Sequence, residues 1–275
     1  MLDTSFPGLD AWVEYFRTAD IPVMRRTIVE LDKLRAVADR INARTLSGVI
    51  LDDPLMTLRV MAYIESRRRQ RQTTDITTIE RALVMIGVDP FFRDFENVPL
   101  IENQLADHPK ALLGVLKVIQ RARKAATWAR EWGLHRKDLD VDEITVAALL
   151  HDTPELLMWC FAPTLALKVT DLKAADKQLR SDTAHMQVFN IHLNELLVRL
   201  AHVWHLPELL IGMMDNTDNE EGARERTVRL AIDLARHSAN GWDDAALPDD
   251  YKAISELLHM EQDMLLQRLG VTPNA

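Results

Sequence analysis

Along most of this chain apolar residues return at steps of three and four, and nowhere do they settle into strict alternation with polar ones. A three-to-four spacing lines up side chains on one face of a helix, whereas a half-exposed strand needs a period of two. Ile28, Leu31, Leu34, Val37/Ala38 and Ile41 predict one long helix over about residues 24–43, with Asp32, Arg35, Asp39 and Arg40 on its other face. With 9 Gly and 11 Pro in 275 residues, breakers are too sparse for a turn-rich β architecture. The expected fold class is all-α.

Helix boundaries follow from local chemistry. Ser47-Gly48 is placed near the start of a short helical turn, and Asp52-Asp53-Pro54 marks the next boundary. Asp53 can accept from the free amides of a new helix, and Pro54 suits its first position. Thr77-Thr78-Ile79-Glu80 reads as a capping box opened by Thr77, and Gly87 as the stop of that helix. Residues 89–99 mix Pro, Phe and acids and lead into a second lobe. There a helix over about 111–132 stops at Gly133, and Asp140 with Glu143 opens the next one. Pro154 disfavours helical geometry at Thr153, so that helix breaks at His151-Asp152. Further helices are predicted over 176–205 and 208–214, then an exposed loop over 215–225. A helix through Val228 ends by Gly241, and an amphipathic C-terminal helix over 249–269 ends at Gly270. The division expected is an N-terminal helical lobe, 1–105, and a second helical lobe, 106–275.

Composition narrows the functional classes. A hydrophobic fraction of 47% supplies a core, and a net charge of −9 repels phosphate backbones, so no nucleic-acid partner is expected. The single Cys160 lies in the apolar run 156–162 and reads as a small buried hydrophobe. That run is far short of a membrane span, and the first residues lack a basic-then-apolar leader, so the expectation is a cytoplasmic chain without a membrane partner. One basic stretch stands out, Ser66 to Arg71, with Arg67, Arg68, Arg69 and Arg71. It reads either as a solvated helix end or as a patch for an anionic ligand such as a nucleotide second messenger.

The pair His151-Asp152 carries the chemistry. Imidazole nitrogen and carboxylate oxygen are ligands for a divalent cation, yet a metal site needs at least one further His and one further carboxylate. His185 and His192, seven apart, share a helical face, and His202 and His205 follow. They read as satisfied core or surface histidines rather than as a metal cluster.

Several segments taken in order resemble the HDOD family, catalytically degenerate relatives of the HD and HD-GYP phosphohydrolases. These are Ile21-Pro22, the run 49–60 around Asp53-Pro54, and 76–82 with Gly87. Trp128 to Leu134, Ala147 to Asp152 and Trp204-His205-Leu206-Pro207 complete the set, which covers about residues 20–240. The resemblance implies a two-lobed helical fold with an HD-like C-terminal bundle. It also implies where the metal ligands of an active relative would fall. The leading His position coincides with Arg121 or its neighbour, and the helix 111–132 contains no His. The final Asp corresponds to Asp233. Arginine cannot ligate a cation. The expected site is therefore a vestigial one of His151, Asp152, Asp233 and Arg121, with Arg121 in the cation's place against Asp152. No catalytic residue, metal or other cofactor is expected.

The function implied is a free-standing, non-enzymatic signal-transduction or scaffold protein of bacteria, whose partner is another signalling protein. Two alternatives stand beside it. One is a metal-dependent HD-superfamily phosphohydrolase with a divalent metal on His151, Asp152 and Asp233. The other is a nucleotide sensor without turnover at Arg67 to Arg71.

Overall fold

The computed structural model describes residues 1–68, 75–215 and 222–271, Arg68 by its backbone alone, and among them it contains helices and no strand. The N-terminal part runs α1 (Leu9–Arg17), α2 (Arg25–Arg35), α3 (Ala43–Ile50), α4 (Pro54–Arg68), α5 (Ile79–Ile86), α6 (Val88–Asp94) and the short α7 (Ile101–Gln104). The C-terminal part begins with the long α8 (Pro109–His135), then α9 (Val141–Leu150), α10 (Thr153–Phe161), α11 (Pro163–Ala175), α12 (Ser181–Phe189) and α13 (Leu193–Val203). It closes with α14 (Glu208–Met214), α15 (Ala223–His237), α16 (Leu247–Leu258) and α17 (Gln262–Leu269).

Two helices organise this arrangement. On α4, Leu55, Met56, Leu58, Val60, Met61 and Ile64 are all buried. A helix apolar nearly all round must sit between layers, and α4 packs on α5 on one side and on α8, α9 and α10 on the other. On α8, Ala122, Ala125, Ala126 and Ala129 are buried, as are Ala147 and Ala148 on the neighbouring α9, small residues that let backbones approach. The other flank of α8 carries α15.

Asp53 ties the start of the chain to this frame. Its Oδ1 accepts from the Leu55 and Met56 amides at 3.0 and 3.2 Å, the N-cap role expected from the sequence. Its Oδ2 accepts from the Met24 amide at 2.8 Å and the Thr27 hydroxyl at 2.9 Å, so one buried carboxylate closes the starts of both α4 and α2. Gly87 ends α5 at φ 85°, a conformation that costs glycine nothing.

Several boundaries differ from the sequence expectation. The predicted helix over 24–43 ends at Arg35. Only Thr27 and Leu31 of α2 are buried, so extending it covers no core, and Val37 turns out at φ −127°. Asn42 then caps α3 by accepting from the Thr45 amide at 3.0 Å, which leaves Ser47 and Gly48 inside α3. Thr78, not Thr77, caps α5; Thr77 donates instead to Glu143 Oε1 at 2.8 Å. Residues 89–99 include most of α6, held by buried Phe91 and Phe92. Helix α8 passes through Gly133, where the glycine serves packing: a Cβ there would lie 3.3 Å from Val141 Cγ2. The stretch 176–205 is two helices separated at Asn190, and 249–269 is two separated at His259, both residues left-handed.

Helix α1, which the periodicity argument passed over, packs on α13. Trp12 and Phe16 are fully buried, and Trp12 Nε1 donates to the Phe189 carbonyl at 2.9 Å. Rings of Phe6, Tyr15 and Phe161 surround them at centroid distances of 4.9–5.7 Å. Removing a buried indole from such a cluster costs about 3–5 kcal/mol. Urea denaturation of Trp12→Ala should show a loss of that size, and a loss below about 1 kcal/mol would mean that α1 is dispensable.

Candidate functional site

The site is built where α9 ends and α10 begins. His151 closes α9, Asp152 precedes the first turn of α10, and Pro154 enforces the break. Consecutive residues on one helix diverge by about 100°; here the break brings His151 Nδ1 to 3.4 Å from Asp152 Oδ1. From α8, Arg121 Nε donates to Asp152 Oδ2 at 2.7 Å, and its Nη2 donates to Glu155 Oε2, also at 2.7 Å. Arg236 of α15 brings Nη2 to 3.6 Å from Asp152 Oδ1. The Arg121 and Asp152 side chains are 15% and 7% exposed, so this is an ion network under cover.

Burial on its own would push both carboxyls upward, since it penalises the charged form. The Arg121 guanidinium overrides this. With help from His151 and Arg236 it holds Asp152 well below the usual carboxylate range. It lowers Glu155 as well, against the repulsion of Asp152. Burial would likewise favour a neutral Arg121, and the two carboxylates overcome it.

A divalent cation does not fit these residues. Both oxygens of Asp152 are already engaged by cationic or imidazole groups, and the guanidinium of Arg121 lies where the charge of a metal would be needed. Among the described residues no three His, Cys, Asp or Glu side chains are grouped to hold a metal ion.

The structure therefore brings together His151, Asp152 and Arg121. Asp233 is elsewhere: its Oδ2 lies 3.5 Å from Arg229 Nη1, one turn away on α15. What α15 sends to Asp152 is Arg236, three residues further on. Sequence reasoning missed Arg236 and also Glu155, although both lie one helical step from residues it named. The basic patch is separate from this site. Arg67 lies over the Tyr63 ring at 4.4 Å and pairs with Asp94 at 3.3 Å. The side chain of Arg68 and all of Arg69 and Arg71 lie outside the described residues. Of the histidines, His185 stacks on Phe189 at 5.9 Å, and burial lowers its pKa. His192 pairs with Asp182 at 2.7 Å and His202 with Glu208 at 3.5 Å. Cys160 is buried, and burial pushes its thiol up, away from the reactive thiolate.

Against the Arg121 network lies a cavity of about 320 Å³ enclosed by α10, α11, α12 and α13. Met158, Trp159, Val169 and Phe189 form its apolar wall; Lys173, His185, Asn194 and Arg236 add polar groups. A wider groove of about 810 Å³ runs between α3 and α5 on one side and α8 and α9 on the other. Arg123 and Asp52 pair across it at 2.6 Å.

With this geometry in place, comparison with known proteins is informative. The sequence matches the family described as HDOD domain over residues 21–220. The fold is shared with the MmoQ response regulator from Methylococcus capsulatus str. Bath, at TM-score 0.69 and 18% identity, covering 91% of this chain and 98% of that one. A virulence factor from Campylobacter jejuni subsp. jejuni matches at TM-score 0.65 and 16% identity, covering 97% and 94%. No curated protein shows significant similarity to the chain.

The ion network has a pH signature that can be measured. Asp152 and Glu155 have folded pKa values below their ordinary ones. Their stabilisation is therefore complete above about pH 5 and disappears as the pH falls through the folded values. Arg121→Met leaves two covered carboxylates short of a cation, a loss of about 3–5 kcal/mol at neutral pH. Burial then raises both carboxyls, and the sign reverses: the variant should be more stable at pH 5 than at pH 7.5. Chemical denaturation from pH 4 to pH 8 tests this; an Arg121→Met curve parallel to that of the parent would show that the network is not what holds the helices.

Proposed function

We infer that the chain, which belongs to the HDOD domain family, acts as a binding module in bacterial signal transduction and turns over no substrate. The observation that supports this is the seat of Arg121. Phosphoester hydrolysis by a metal needs open coordination positions and a carboxylate free to bind the ion. Here Asp152 and Glu155 both accept from one guanidinium at 2.7 Å. That buried charge cluster fixes α8 against α10, a structural use of the side chains that chemistry would require.

The same reading concerns partners. The groove between the N-terminal helices and α8–α9 presents Arg44, Arg123 and Arg130 beside Asp52, Glu80 and Asp142. Mixed charge of this kind suits orientation of another protein more than a phosphate backbone, which the net charge of −9 also opposes. Another signalling protein is the partner proposed, in the cytoplasm. A protein of the same fold, MmoQ, is described as a response regulator. Among the described residues no helix is long and apolar enough to cross a membrane.

Metal content and hydrolysis decide the point together. Protein purified without chelator or metal resin should contain far less than one Mn, Fe, Ni or Zn per chain, and adding these ions should produce no phosphoesterase activity that depends on His151. Near-stoichiometric metal lost in His151→Ala, with phosphate released by the parent, would establish the metal-dependent phosphohydrolase instead.

A further inference from the structure

The cavity beside the Arg121 network has uneven charge. Arg121 is neutralised by Asp152 and Glu155, and Asp182 at the rim is bonded to His192. Lys173 has a different partner, the neutral Ser181 hydroxyl, at 2.6 Å. Arg236 reaches its nearest carboxylate only at 3.6 Å. Two cations on different helices thus line the cavity: Arg236 in a long ion pair with Asp152, and Lys173, among the described residues, in none. They also act on their surroundings. The His185 pKa is lowered by burial and further by Lys173 and Arg236, against the pull of Glu155. Burial likewise lowers the Lys173 pKa, against the pull of Glu155, and Arg121 and Arg236 add to the lowering. An anion placed between these groups would relieve that repulsion.

The rest of the lining is apolar and aromatic. Trp159 presents its ring, Phe189 is stacked with His185, and Met158 and Val169 fill the gaps. Asn194 supplies one amide whose Oδ1, shielded from solvent, accepts no hydrogen bond among the described residues. A buried acceptor of this kind calls for a donor. The volume of about 320 Å³ is at the small end of ligand pockets, about 300–1,000 Å³. That is room for one ring and one anionic group, not for a dinucleotide.

We propose that this cavity is a binding site for a small aromatic anion, a monocyclic phosphate or carboxylate. Its charged group meets Lys173 and Arg236, and its ring lies against Trp159 and Phe189. The proposal deepens the reading of the chain as a binding module and rests on it. Trp159 gives an independent handle on the cavity, because its ring lies flat on Gly114 of α8. A Cβ at Gly114 would come within 2.8 Å of three ring atoms, so Gly114→Ala must displace the indole.

Phenyl phosphate is the probe, followed by isothermal titration calorimetry on the full chain, with free phosphate assayed in the same samples. Saturable one-site binding is expected, with benzyl alcohol and inorganic phosphate each binding much more weakly. Lys173→Gln and Arg236→Gln, both on the exposed rim, should fold normally by thermal melt and weaken binding about tenfold each, the size of one charge-assisted contact. Gly114→Ala should weaken it too. Absence of saturable binding, affinity in the two rim variants equal to that of the parent, or inorganic phosphate binding as well as the phenyl ester would overturn the proposal. Binding accompanied by phosphate release that His151→Ala abolishes would retain the site and instead overturn the reading without turnover.

Discussion

A guanidinium removed from water is tolerable only where carboxylates meet it with good geometry, and in this molecule that condition decides how four helices converge. Arg121 projects from α8, and the two acids that receive it lie three residues apart at the start of α10. They can face it together because Pro154 ends α9 at His151 and restarts the chain as α10. Were α9 to continue straight, Asp152 would point elsewhere, and Arg121 would be left with a buried and uncompensated charge. The third side of the network is closed from α15 by Arg236. Beside this cluster lies the cavity lined by α10 through α13.

Elsewhere polar links are set into apolar contacts, one within the N-terminal part and two between it and the C-terminal part. Asp53 satisfies four donors from two helices, Thr77 reaches Glu143 on α9, and Arg123 reaches Asp52. The first two are buried, where a missing partner costs more than the bond itself contributes. They therefore fix register more than they add stability. The free energy of apolar burial is spread through the core, from the aromatic cluster that α1 brings to α13 through α4 to the packing of α8 on α9 and α15.

How much of this could be read in advance depended on whether the signal was local. The all-α class, the cap at Asp53, the stop at Gly87 and the break at His151-Asp152 each rest on a residue and its immediate neighbours, and all are present in the structure. The HDOD resemblance rested on ordered short motifs, and the family match covers the same region. Readings that depended on contacts across the fold fared worse. Gly133 looked like a stop because its real partner, Val141, cannot be seen from one helix. Thr77 looked like a cap because Glu143 is 66 residues away. Asn190 and His259 break helices through left-handed backbone that ordinary periodicity does not reveal. At the site the reach of α15 was misjudged by one turn, from Asp233 to Arg236, and that changes a would-be ligand into a second cation.

That substitution of sign matters for what the site can still do. A metal ion presents two positive charges to whatever enters, and leaves part of its coordination sphere open for it. A guanidinium held by two carboxylates presents none, since the three groups together carry a net negative charge. An incoming anion gains nothing from Arg121 itself. Attraction must come from cations beyond that trio, and these are Lys173 and Arg236, the latter tied to Asp152 only by a long ion pair. The positive charge open to an anion thus lies with Lys173 and Arg236, in a cavity that Trp159 and Phe189 also line. Under the proposed reading, a ligand would thus be held by charge and ring contacts, with Arg121 occupying the carboxylates that a metal would need.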